Sequence, residues 1–141
     1  MEEDIHKICK KYKIKNYIIN KDGSIDVNGD VDLYSKGLTE LPLKFNYVSG
    51  SFDCGYNKLS NLKGSPKIVG LNFNCDGNYL TNLKYSPEKV GGGFYCFRNR
   101  QLKSLEGVGE VYYMFSNILN GDMDEVNKHL LKVKLNRLKK L

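Results

Sequence analysis

The chain has 141 residues, a formal net charge of +6 and 40% hydrophobic residues, which is one domain with a continuous core and too short for a full superhelical array. No apolar run approaches the about 20 residues of a membrane span, and the opening Met1-Glu2-Glu3-Asp4 is acidic where a secretory leader would be basic. The 4 cysteines form no C-x-x-C pair, which gives a disulfide framework little support, and a soluble, cytoplasmic protein in a reducing compartment is the expectation. The charge is also uneven: +2 over residues 1–15, −2 over 16–125 and +6 over 126–141. A global reading of basicity as nucleic-acid binding would misplace the signal.

Taken in order, residues 2–13 carry Ile5, Ile8, Cys9 and Tyr12 at helical spacing. Tyr17 to Asn20, Lys21-Asp22-Gly23 and Ser24 to Val27 read as a hairpin. Residues 1–26 therefore predict a helix-plus-hairpin cap. From there the sequence repeats every 21 residues, with Phe52, Phe73 and Phe94, with Cys54, Cys75 and Cys96, with Asn57, Asn78 and Asn99, and with Val48, Val69, Val90 and Val111. The unit is V-x-G-x-F-x-C-x-x-N-x-L-x-x-L. It runs from Val48 to Leu62, from Val69 to Leu83 with Leu71 displacing the expected glycine, and from Val90 to Leu105 with one residue inserted near Arg100 and Gln101. A degenerate copy precedes these from Val27 to Leu41, with Lys36 in the asparagine position, and a fading copy follows at Val111, Phe115 and Asn120. Finally, Asp122 or Asp124 could cap a basic helix over 121–141 with an apolar stripe of Val126, Leu130, Val133 and Leu138.

A unit this short cannot bury its own apolar face and must stack on copies of itself, so residues 27–120 predict a solenoid. In F-x-C the two named side chains share one face of a strand and point inward, while the residue between them points out. The asparagines fall where the chain leaves the strand, and a carboxamide offers both donor and acceptor to backbone groups that the bend leaves unpaired. The return leg, rich in Gly, Ser and Pro, favours extended or 3₁₀ connections over a full helix.

The pattern resembles the leucine-rich repeat, L-x-x-L-x-L-x-x-N-x-L, with Phe and Cys at the two strand leucines. The Phe–Cys variant and its lead-in from Asp22 to Leu33 resemble small repeat proteins of bacteriophages and other large DNA viruses. The resemblance implies an α/β repeat fold, a short leucine-rich-repeat solenoid whose parallel strands line a concave face between two caps. It also implies a viral protein acting in host cytoplasm.

Three cysteines one repeat apart suggest a thiol ladder, but their alternation with Phe on the inward face, and Leu33 in the same position upstream, identify core packing. His6 and His129 lie in opposite terminal helices and form no ligand pair, so neither metal nor other cofactor is expected. No Ser–His pairing, P-loop or H-E-x-x-H occurs, and Gly91 to Gly93 lack the Lys-Ser/Thr of a phosphate loop, so the expectation is not an enzyme.

The outward strand positions offer a partner-binding set of Asp32, Tyr34, Asp53, Tyr56, Asn74, Tyr95, Phe97 and Arg98, acidic at one end and aromatic beside an arginine at the other. The expected function is non-enzymatic protein binding, with a host protein or defence component held and blocked. Two alternatives stand beside it. One is binding of nucleic acid or a phosphorylated ligand through Lys128, Lys132, Arg137 and Lys139. The other is self-association of acidic and basic ends.

Overall fold

The computed structural model describes residues 2–116 and residues 128, 130–132, 134, 135, 138 and 139. The expectations placed on Asn120, Asp122, Asp124, Val126, His129, Val133 and Arg137, and on the Phe115 side chain, lie outside what is described.

Helix α1 (Glu2–Lys11) has an acidic first turn, Glu2, Glu3 and Asp4, and a basic end, Lys10 and Lys11, matching the helix dipole. It ends on Lys13 in the left-handed region (φ 57°), with Ile14 N–H donating to the Cys9 carbonyl (2.8 Å) and Lys13 N–H to that of Lys10 (3.2 Å). Cys9 and Ile14 are buried, and Ile5, Ile8 and Tyr12 pack beside them. Strands β1 (Tyr17–Ile19) and β2 (Ile25–Val27) then form the expected antiparallel hairpin. Its turn is tied to the first coil by the Asp22–Lys44 ion pair at 3.1 Å. The Ser24 hydroxyl and N–H, then Lys44, hold the Asp22 carboxyl well below the usual carboxylate range.

The remaining strands are β3 (Val31–Asp32), β4 (Phe45–Val48), β5 (Phe52–Asp53), β6 (Ile68–Val69), β7 (Phe73–Asn74), β8 (Lys89–Cys96) and β9 (Glu110–Ser116). They form two parallel ladders. In the first, β2, β4, β6 and β8 pair in sequence, with Val48 beside Val69 and Val69 beside Val90. In the second, β3, β5, β7 and β8 pair, with Val31 beside Phe52, Phe52 beside Phe73 and Phe73 beside Phe94. Earlier coils break between the ladders, but β8 runs through both across Gly91 to Gly93, and β9 follows it. Val90 still pairs with Val111, so the residue inserted near Arg100, which displaces Leu102, Leu105 and Gly107 by one, is taken up before β9 begins.

Up to Ser116 no helix forms beyond α1, so the coils are not α/β units. Each consists of strand and turn, and together they make a parallel β-solenoid of about four turns. The physical reason lies in the return legs, where Gly64-Ser65-Pro66 and Tyr85-Ser86-Pro87 lead directly into the first ladder. Left-handed Gly64 and Tyr85 (φ 93° and 65°), with a proline two residues on, break helical propagation.

The core is a stack of identical rungs. Phe52, Phe73 and Phe94 are wholly buried, with ring centroids 5.6 Å and 5.0 Å apart, and Phe45 meets Phe52 edge-on at 4.9 Å. Cys54, Cys75 and Cys96 are buried free thiols on the same face. Cys54 and Cys75 donate to the carbonyls of Asn74 and Tyr95, both at 3.3 Å. Leu59, Leu62, Leu80 and Leu83 close the far side. The first ladder demands glycine at one place in particular: a Cβ on Gly70 would stand 2.1 Å from the Ser49 carbonyl oxygen, and one on Gly91 would stand 2.1 Å from that of Gly70.

The asparagine column does what its position predicts. Asn78 Nδ2 donates to the carbonyls of Cys75 (3.1 Å) and Asp76 (3.2 Å) in its own turn and to Cys54 (3.1 Å) one coil earlier. Its Oδ1 accepts from Leu59 N–H at 3.0 Å. Asn99 repeats the pattern on Cys96, Phe97, Cys75 and Leu80, and Asn57 repeats it on Cys54, Gly55 and Leu33. Asn57 Oδ1 also accepts from Lys36 and Leu38 at 2.9 and 3.0 Å.

Of the expected C-terminal helix, the described residues 128, 130–132, 134, 135 and 138 are helical. Leu130 joins the core, and Lys134 Nζ donates to the Val111 carbonyl at 3.1 Å. Leu138, expected on the buried stripe, is 62% exposed; nothing in the structure explains its place. Among the described residues no helix is long and apolar enough to cross a membrane.

Two expectations follow from the core. Asn78→Ala strands backbone groups in two coils and should cost about 2–3 kcal/mol in urea unfolding. Burial holds the Cys54 and Cys75 thiols well above their ordinary range. They stay neutral when folded, whereas unfolded thiols ionise from about pH 8.5 upward. The unfolded state then binds fewer protons, so stability should fall as pH rises through that range. Native alkylation by iodoacetamide should stay slow from about pH 7 to pH 9 while the denatured chain reacts faster with each step.

Candidate functional site

The residues expected to bind a partner do lie together, on the outward side of the second ladder, because the register aligns Asp32, Asp53, Asn74 and Tyr95 rung by rung. Three of them also build the turn that follows. Asp32 Oδ1 accepts from Tyr34 N–H (3.0 Å), Asp53 Oδ1 from Gly55 N–H (2.8 Å) and Asn74 Oδ1 from Asp76 N–H (2.8 Å), each closing an Asx turn two residues on. Each of the two carboxylates therefore has one oxygen engaged by the backbone.

A second polar column runs along the strand entry. Asp30 Oδ1 accepts from Ser51 N–H at 2.8 Å, Ser51 Oγ from Asn72 N–H at 3.2 Å, and Asn72 Oδ1 from Gly93 N–H at 2.8 Å. These side chains stitch coil to coil.

The aromatic end has a geometry that the sequence did not disclose. Ser35, Tyr56, Gly77 and Arg98, spaced by the repeat, all occupy the left-handed region, with φ of 53°, 55°, 65° and 56°. Only Gly77 takes that conformation without steric cost. Gly77 is required for a second reason, since a Cβ there would stand 2.8 Å from the Tyr56 ring. Across that gap Arg98 reaches two coils back: its Nη1 donates to Tyr56 Oη at 2.8 Å, and its guanidinium carbon lies 5.9 Å from the ring centroid. Tyr34 continues the row, 5.4 Å from Tyr56. The two tyrosines are 46% and 39% exposed, so they are held in place and still present surface. Tyr95, paired with Asn74, and Phe97 are half-buried.

The electrostatics are set mainly by burial. Asp53 is pushed above the usual carboxylate range by desolvation, with the Gly55 N–H opposing and the Asp32 charge adding to the rise. Asp76 is raised for the same first reason, its Oδ1 accepting from Phe97 N–H at 2.6 Å. Asp53 raises it further, and Arg98 pulls it down. Asp76 and Gly77 belong to this face: the repeat register puts Asp76 at an outward position although it was outside the expected contact set, and Gly77 was not foreseen. The signal for Asp76 was present in its place three residues after Phe73, beside Arg98 in the next coil.

The other expected groups lie elsewhere. His6 Nδ1 meets Tyr17 Oη at 2.5 Å and belongs to the contact between α1 and the hairpin. Among the described residues no group of three or more His, Cys, Asp or Glu could hold a metal ion. Lys128, Lys132 and Lys139 are exposed, far along the chain from this face, and Arg137 is outside the described residues.

Comparison with protein-family models, with curated proteins and with solved structures finds no match to this chain.

Asn74 already makes the same Asx turn as Asp53, so Asp53→Asn keeps the acceptor and removes a half-buried charge. Because the folded pKa is raised, the folded state binds protons more tightly, and Asp53 weakens the native state above its folded pKa. Asp53→Asn should raise neutral-pH stability by up to about 1 kcal/mol, limited by solvent screening. The gain should shrink as pH falls toward about 4. Thermal melts at a series of pH values check the sign.

Proposed function

We propose that this protein is a non-enzymatic protein-binding module that presents the outward face of its second ladder. Asp32, Tyr34, Asp53, Tyr56, Asn74, Tyr95, Phe97 and Arg98 are its contact set, joined by Asp76. The left-handed column carries the reading. Tyr56 and Arg98 hold a conformation that glycine adopts freely, at a cost on the order of 1 kcal/mol each, and an exposed side chain is what that cost retains. The stack of Tyr34, Tyr56 and Arg98 is ordered before any partner arrives, so little side-chain entropy is lost on binding. The carboxylates of Asp32 and Asp53 favour a partner carrying cationic groups opposite them.

The period and the asparagine ladder support treating the coils as a divergent leucine-rich repeat. The burial of Leu130 and the bond from Lys134 to Val111 support a C-terminal helical cap. In this reading a bacteriophage protein holds and blocks a host component, as the resemblance of the repeat implies. The exposed Lys128, Lys132 and Lys139 support a second reading, phosphate-driven binding that weakens steeply with salt.

Tyr34→Ala/Tyr56→Gly, which leaves the left-handed turn intact, should keep the melting temperature and weaken a captured partner by about 2 kcal/mol or more in calorimetric titration. Lys128→Gln/Lys132→Gln/Lys139→Gln should bind as the parent does. The opposite pattern, with the tail variant losing the partner and the face variant keeping it, assigns binding to the basic helix.

A further inference from the structure

A different part of the surface carries a groove, of about 710 Å³, at the corner where the leucines of each coil lead back toward the first ladder. That volume lies in the range of small-molecule sites, about 300–1,000 Å³. Its apolar lining is Leu41, Leu43, Pro42 and Pro66, and Tyr85 stands at its side.

Tyr85 is the unexpected residue. The left-handed positions of this corner run Gly64 (φ 93°), Tyr85 (φ 65°) and Gly107 (φ 93°), so a bulky aromatic stands in a series where glycine is cheapest. The Ser65 hydroxyl donates to the Tyr85 carbonyl and fixes the backbone there. The ring itself is 62% exposed, and among the described residues it makes neither a ring contact nor a hydrogen bond through its hydroxyl. A strained, exposed and unpartnered ring beside an apolar groove contributes nothing evident to the fold.

Two lysines of the lining offer cations to an occupant. Lys63 directly precedes Gly64-Ser65 and Lys67 closely follows, and all four residues line the groove. Lys44, on the coil before, is engaged by Asp22 at 3.1 Å, whereas Lys63 and Lys67 have no carboxylate at ion-pair distance among the described residues. Glu40 and Glu88, the first and last residues of the lining, set a limit on how much negative charge the site tolerates.

We propose that the groove binds a small organic monoanion, a carboxylate on an apolar body. The body lies on Leu41, Leu43 and Pro66 against the Tyr85 ring, and Lys63 and Lys67 meet the carboxylate. This is a binding site separate from the strand face and independent of the function proposed for it.

Titration of the full chain with 2-naphthoate, followed by amide NMR, tests it, with 2-naphthylmethanol as the neutral counterpart. Saturable shifts at Leu43, Gly64, Ser65 and Tyr85 are expected, with a Kd of about 1 mM or tighter for a ligand of this size. The alcohol should bind at least about fivefold more weakly, and Lys63→Gln/Lys67→Gln should lose a similar factor for naphthoate alone. Glu88→Gln should tighten binding. Tyr85→Gly should weaken it by about fivefold while leaving the thermal midpoint unchanged or higher, because glycine suits that backbone. Equal binding of acid and alcohol, shifts away from the corner, or unchanged affinity in Tyr85→Gly would each overturn the proposal.

Discussion

A coil that bends directly after its strand leaves more backbone donors and acceptors than strand pairing can satisfy, and Asn57, Asn78 and Asn99 supply what is missing. Each carboxamide lies within the turn and bonds both its own coil and the one before. No shorter polar side chain offers two donors and an acceptor at once. With the bend fixed in this way, Phe and Cys return to the same depth every 21 residues, and the phenylalanine rungs can stack. The hydrophobic core is thus a consequence of polar satisfaction at its margin. The absence of any orphaned buried side-chain polar atom among the described residues agrees with that order of causes.

The same regularity makes deviations interpretable. Where coils approach most closely the chain accepts only glycine, as at Gly70 and Gly91, and there the backbone contact decides the residue. Where the backbone turns left-handed on the outside, steric economy would also select glycine, yet Tyr56, Tyr85 and Arg98 stand there. A glycine next to such a residue then becomes useful space, and Gly77 lets an arginine lie over a tyrosine two coils away. The rigid interior and the permissive corners are set by different forces, so surface residues can diverge without disturbing the stack.

The sequence made the inward columns legible because Phe, Cys and Leu recur with one chemistry at one spacing. It also located the asparagine ladder, whose role needs only the place of the turn. The α/β class came from the resemblance and not from the return legs, whose Gly, Ser and Pro already pointed to extended connections; strands as short as Ile68–Val69 leave too few residues for alternation to show. The left-handed column was illegible for a different reason: Ser35, Tyr56, Gly77 and Arg98 share a backbone angle and no side-chain property. The corner groove draws on three separate stretches of chain, 40–44, 61–67 and 85–88, and no one of them contains a motif.

Each asparagine faces backward. The amides of Leu59 and Leu80 are satisfied not by their own coils but by Asn78 and Asn99 of the next, and those of Lys36 and Leu38 by Asn57. Lys36 can occupy the asparagine place of the first coil because no earlier coil waits to be completed there. A growing chain emerging from a ribosome therefore holds each turn unfinished until the following repeat has been made, so closure lags synthesis by one coil. The array has a direction: loss of its last coil unseats the one before, whereas loss of its first leaves the asparagine clamps of the later coils in place.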